Sequence, residues 1–190
     1  MGYARLQDPR RRDLRYDMNR LANPSKRQSN WHVRPYRAED ATARAEVFRQ
    51  AVQKGAAAHY DQVQRDAWAA GPSADSLKDR LAPQLVLVAV DSAGKVIGFF
   101  SLTDAGLVDF AYVMPDLRGS GLADHLLERL TEAARARGLS RLTTEASLVA
   151  RSFFARHGWS EERRQTVTKG EAQLDNFVMS LDLGAAETAA

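Results

Sequence analysis

The 190 residues are 44% apolar and include no cysteine, which suits one domain with a substantial core and excludes a disulfide framework, a thiolate nucleophile and a zinc knuckle. The net charge of +3 is unevenly spread: residues 1–30 hold eight Lys or Arg against three Asp, and the remainder carries −2. The basic character is therefore a feature of an arm, which leaves nucleic acid as a partner only through that arm.

The arm has little apolar periodicity and reads as disordered. No apolar run is long enough for a membrane span, and the first residues lack the apolar stretch of a secretory signal. With the missing cysteines, this predicts a cytoplasmic protein with no membrane partner. Order is expected to begin at Trp31, where WHVRPYR reads as a strand. Asp40 is positioned to cap a helix carrying Ala43, Val47, Ala51 and Val52 on one face, ending near residues 55–59. Two short helices are expected over 61–70 and 73–81, before Pro83.

LVLVAVD and KVIGFFSL, separated by Ser92-Ala93-Gly94, predict a hairpin. LVDFAYVM is a further strand, stopped by Pro115. A helix follows from Gly121 to about Arg137, with Leu122, Leu126, Leu127, Leu130 and Ala134 as its apolar stripe, and Gly138 closes it. LSRLTTEAS reads as a strand, LVARSFFARHG as a helix, and the runs around WSEERRQTVT and QLDNFVMSLDL as a closing hairpin able to pair across a homodimer. Residues 184–190 read as a frayed tail. Strands thus come first in antiparallel hairpins and then around a strand-helix-strand unit. This order predicts an α/β domain of the α+β type over 31–183, with a mixed sheet, rather than a doubly wound one.

The stretch Arg118-Gly119-Ser120-Gly121 between strand and helix is the feature that points to chemistry. Amides at a helix start, with the helix dipole and an adjacent arginine, suit a pyrophosphate. A triphosphate loop would need Lys followed by Ser or Thr, which is absent. A dinucleotide fingerprint would need a small residue at position 124, where Asp stands.

The third candidate is coenzyme A. Arg118-Gly119-Ser120-Gly121-Leu122-Ala123, preceded by Val113-Met114-Pro115, resembles the cofactor loop of the GCN5-related N-acetyltransferases. Ala150 to Trp159 resembles that family's second block, A-x-x-F-F-x-x-x-G-W. The AVQKGAAAHYDQVQRDAWA segment is similar to a subgroup of uncharacterised bacterial acetyltransferases. The resemblance covers about Val33 to Leu183. It implies a mostly antiparallel sheet of six to seven strands whose fourth and fifth members splay apart, with acetyl-CoA between them as cosubstrate and no metal.

By the same resemblance, Val113 would meet the pantetheine amides. The main chain of Gly119, Ser120, Gly121, Leu122 and Ala123, with Arg118, would hold the diphosphate. Ala150 and Phe154 would wall the thiol end. The implied activity is transfer of an acetyl group to a primary amine of a small molecule or protein, by a monomer or homodimer. A silent CoA-binding module of the same fold is the alternative. Asp109, which period-two alternation places on the Val113 face, and Glu145 are the candidate general bases. His59, Tyr60 and Trp68 fall where the family covers the acceptor cleft. His125 is expected to face solvent and His157 to cap its helix. Two positions depart from the family pattern. Phe154 stands where many members have a tyrosine that protonates the leaving thiolate, and Ser147 replaces an asparagine. A phenyl ring has no proton to give.

Overall fold

The computed structural model describes residues 30–71 and 74–184. The expected basic arm, apart from its last residue, and the tail beyond Gly184 lie outside the described residues. Seven strands and five helices follow in chain order: β1 (Trp31–Pro35), α1 (Ala41–Gln53), α2 (Gln62–Ala70), α3 (Ala74–Leu81), β2 (Leu85–Asp91), β3 (Val96–Leu102), β4 (Leu107–Val113), α4 (Leu122–Ala136), β5 (Arg141–Ser147), α5 (Arg151–Arg156), β6 (Ser160–Lys169) and β7 (Ala172–Asp182). The strands form one sheet in the order β1-β2-β3-β4-β5-β7-β6. Every neighbouring pair is antiparallel except β4 and β5. Among the described residues no helix is long and apolar enough to cross a membrane.

Helices cover both faces of the sheet centre, which is why β2 and β3 read as continuous apolar runs. Alternation divides their side chains between two layers. Leu87, Ala89, Phe100 and Leu102 pack on Leu122, Leu126 and Leu130 of α4 and Phe154 of α5. Val86, Val88, Val90 and Phe99 pack on Val47 of α1 and Leu77 and Leu81 of α3. A smaller cluster of Ala56, Tyr60, Ala172 and Leu174 joins the α1–α2 turn to the closing hairpin.

Asp40 stands before α1 as expected, but its side chain does not cap that helix. The carboxylate instead accepts from Arg34 Nη1 and Nη2 (2.7 and 2.8 Å) and from the Arg37 amide (2.8 Å), closing a 3-10 turn over Ala38–Asp40. The guanidinium of Arg34, the penultimate residue of β1, outcompetes the helix amides because it is charged. At α2 the cap is of the ordinary kind: Asp61 accepts from the Gln64 amide at 2.8 Å while Gln64 accepts from the Asp61 amide at 3.0 Å.

Two local features of β4 shape everything beyond it. Ser101 pairs with Phe110 but Leu102 with Val108, so Asp109 is an extra residue in the strand. Ser101 Oγ catches the Phe110 amide at 3.2 Å. On its other edge, β4 pairs with β5 only through Leu107 with Thr143 and Val108 with Thr144. Gly106 lets the strands meet there, since a Cβ on it would lie 2.6 Å from the Arg141 carbonyl oxygen. Thr144 Oγ1 closes the contact by donating to the Val108 carbonyl at 2.9 Å. From Asp109 onward the two strands part.

Candidate functional site

The parting strands open a cleft of about 400 Å³. Ala111, Tyr112 and Val113 form one wall. Ser147 at the end of β5, with Val149 and Ala150 after it, forms the other, and Phe100, Phe153 and Phe154 form the floor. The wall on the β4 side is an unpaired strand edge, whose main-chain groups can accept an extended amide chain. At one end the cleft reaches Arg118, Gly119, Gly121, Ala123 and Asp124.

That end is the turn predicted from the glycines. Gly119 and Gly121 have φ of 76° and 87°, a region that side chains other than glycine's rarely adopt. No atom would crowd a Cβ at either position, so backbone conformation rather than space selects glycine there. The Ser120 amide is taken by the Leu117 carbonyl (3.2 Å) and the Leu122 amide by Ser120 Oγ (3.3 Å). Among the described residues, the amides of Gly119, Gly121 and Ala123 have no protein acceptor. The loop therefore offers three of the five expected nitrogens, together with the positive end of α4. Arg118 lies at the rim, its Nη2 2.5 Å from where a Cβ on Gly55 would stand, so Gly55 leaves the room that the guanidinium occupies.

The floor residue Phe154 is 1% exposed and packs edge-on against Phe153 and Trp159. Ser147, in place of the family's asparagine, still serves the turn into α5: its Oγ accepts the Ala150 amide at 3.2 Å. His157 closes α5 as expected through its amide. Its ring also reaches Asp124 in the first turn of α4, Nε2 to Oδ1 2.8 Å. His125 differs from expectation, being half-buried against Trp31 with ring centroids 5.3 Å apart.

The bulge overturns the expected orientation of Asp109. As the extra residue it turns with Phe110 toward α3 instead of with Val113 toward the cleft. Arg80 holds it through the Nε–Nη2 edge of its guanidinium, with Nε to Oδ2 at 2.8 Å and Nη2 to Oδ1, and Gln84 Nε2 donates at 2.8 Å. The Arg80 guanidinium lies over the Phe110 ring at 5.2 Å. Pairing with Asp109 raises the Arg80 pKa, and Glu145 adds to the same field. Glu145 itself is exposed on β5. Its neighbours Thr144 and Ala146 point into the core, so it occupies the face opposite α4.

The three acceptor-side residues separate. Tyr60 is 4% exposed. Its hydroxyl donates to the Asp175 carbonyl (2.7 Å) and accepts the Leu148 amide (3.0 Å). Buried with both bonds made, it ties the α1–α2 turn to β7 and is not presented to a ligand; burial also raises its pKa. His59 is exposed on the turn after α1 and does not line the cleft. Trp68 does line it, packed against Tyr60 and Tyr112 at 5.4 and 6.4 Å. Arg80 and Gln84 were missed because a cation in the last turn of a short helix and an amide in the connection after it carry no pattern.

This geometry can be set beside known proteins. Residues 53–177 match the family described as Acetyltransferase (GNAT) domain. The chain is 32% identical over 151 residues to the uncharacterized N-acetyltransferase YafP of Escherichia coli K12, covering 80% of this chain and 95% of YafP. A GCN5-related N-acetyltransferase from Rhodopseudomonas palustris superposes with TM-score 0.78 at 34% identity, over 83% of this chain and 99% of its own. YncA from Salmonella typhimurium, solved with its cofactor acetyl-CoA, superposes with TM-score 0.58 at 25% identity, over 85% and 100%.

Proposed function

The chain belongs to the GCN5-related N-acetyltransferase family, and we propose that it transfers an acetyl group from acetyl-CoA to a primary amine of a small molecule or protein. One observation carries the reading: a strand edge without a partner and three free amides at a helix start open into the same cleft. An extended amide chain ending in a diphosphate is complementary to both. In this reading the diphosphate sits on Gly119, Gly121 and Ala123 beside Arg118, and pantetheine runs along β4 from Val113 toward Ala111. Ala150 and Phe154 wall its thiol end. Ser120 and Leu122 shape the loop, as their own amides are occupied.

The amine must lose a proton before or during attack on the thioester carbonyl. We assign this to Glu145, acting through water, because its carboxylate is exposed on the face opposite α4. Asp109 is bound on both oxygens and positions Arg80 instead. Trp68 supplies an apolar wall to the acceptor. His59, on the exposed turn, is placed to meet the outer part of a larger acceptor.

Thiol release from acetyl-CoA, followed across amino acids, polyamines, aminoglycosides and peptide N-termini, tests the reading. Turnover with at least one amine is expected, and Glu145→Gln is expected to lower kcat by about 10²-fold, the lower range for loss of a general base. Tight CoA binding without turnover on any amine would instead identify a silent binding module.

A further inference from the structure

We infer that the Tyr112 hydroxyl is the proton donor to the departing CoA thiolate, in the role that Phe154 cannot fill; the inference rests on the acetyl-transfer reading of the same cleft. Attack by the amine forms a C–N bond and breaks the C–S bond, leaving the electron pair on sulfur. A proton delivered to that sulfur gives the neutral thiol. The ammonium loses two protons on becoming an amide: one leaves through Glu145 and water to solvent, and the other returns by way of water to the tyrosine and restores it, so one proton per turnover is released overall.

The side chains lining the cleft allow few donors. Arg118 and Arg156 keep their protons throughout the accessible pH range. Asp124 lies at the diphosphate end and is joined to His157. Ser147 and Ser152 carry hydroxyls far less acidic than a thiol. Of the other two phenols among the described residues, Tyr60 donates its hydroxyl hydrogen bond to the Asp175 carbonyl, and Tyr36 packs in the α1–α3 layer. Tyr112 is the one phenol lining the cleft among the described residues.

Its placement fits the task. Tyr112 stands between Ala111 and Val113 on the unpaired edge of β4, where the thiol end falls once the diphosphate is on the α4 loop. Its ring is fixed by stacking on Phe99 at 5.7 Å and by the edge of Phe48 at 5.0 Å. The Trp68 ring stands edge-on to it at 6.4 Å. An indole N–H can only donate, so Trp68 cannot accept the phenolic proton, which is left to be aimed elsewhere. The charged and titratable groups around it are Asp109, Arg80 and Tyr60. Burial raises the pKa of the phenol above the usual tyrosine value, so its proton is in place at neutral pH.

The test compares wild type, Tyr112→Phe and a protein carrying 3,5-difluorotyrosine at 112, which keeps the shape and acidifies the hydroxyl. Thiol release from acetyl-CoA is followed with the best amine of the panel and with hydroxylamine, a small nucleophile that needs no acceptor pocket. CoA affinity is measured by calorimetry. Tyr112→Phe is expected to lower kcat about 10²-fold, with CoA Kd and acceptor KM within threefold of wild type. The difluorotyrosine protein is expected to retain turnover but lose it at a lower pH, which also decides the matter if the phenylalanine variant folds poorly. A phenylalanine variant with kcat within threefold of wild type, a defect confined to acceptor KM, or an unmoved alkaline limb would overturn the assignment while acetyl transfer stands. A wild-type protein that binds CoA but accelerates neither reaction would overturn the acetyl-transfer reading and this assignment with it.

Discussion

The Asp40 carboxylate is 6% exposed and receives three hydrogen bonds, two of them from Arg34. Those bonds, the Arg34 pair first, hold its pKa below the usual carboxylate value. A depressed folded-state pKa contributes stability that is complete above the unfolded value of about 4 and is lost as pH falls through the lower folded value. Asp40→Asn is therefore expected to cost about 2 kcal/mol at pH 7, read as a lower midpoint in thermal unfolding, with the gap to wild type closing as the pH is taken below about 3. At Gly121, a glutamate would meet a φ of 87° and set a negative charge on the diphosphate path. Gly121→Glu is expected to raise the CoA Kd at least about 100-fold, the effect of placing like charge beside a bound anion, in calorimetry on folded protein. The loop was legible in the sequence because glycine, glycine and arginine at a helix start leave few other uses. The direction of Asp109 was not, because one extra residue in β4 reverses the face of a side chain without altering the apolar pattern.

At the scale of elements, the end of α1 and the start of α4 share one piece of space. Gly55 has no side chain where Arg118 Nη2 lies, and a Cβ there would also stand 2.3 Å from the Ala51 carbonyl oxygen. Gly55→Val is expected to displace the guanidinium and weaken CoA binding about tenfold, the scale of one charge-assisted hydrogen bond. Calorimetry at low and high salt checks it, since the loss should shrink as salt screens the arginine. The elements themselves were readable from the sequence. The β2–β3 hairpin, α4 with its leucine stripe and the β6–β7 hairpin fall within a few residues of their expected bounds. Partner choice was less readable: β7 rather than β6 pairs with β5, because alternation specifies which face of a strand is buried and not which neighbour it takes.

For the whole molecule, the sheet is continuous everywhere except where β4 leaves β5. Seven strands with helices on both sides hold that gap open, and the Tyr60 hydroxyl bonds the Asp175 carbonyl and the Leu148 amide across to the second half. Filling the gap should therefore stabilise the whole domain. CoA at 100 times its Kd is expected to add about 2.7 kcal/mol, a rise of roughly 5–10 °C in the unfolding midpoint. The splay was legible only through family resemblance, as no local pattern in LVDFAYV announces that its far end lacks a partner.

The most direct measurement is an amide-resolved NMR titration of the ¹⁵N-labelled protein with CoA. The largest shifts are expected at the amides of Gly119, Gly121 and Ala123, with a second group along Ala111 to Val113 that pantetheine alone reproduces. Binding that leaves the glycine-loop amides unmoved, or shifts confined to other surfaces, would contradict the assignment of the diphosphate to the start of α4.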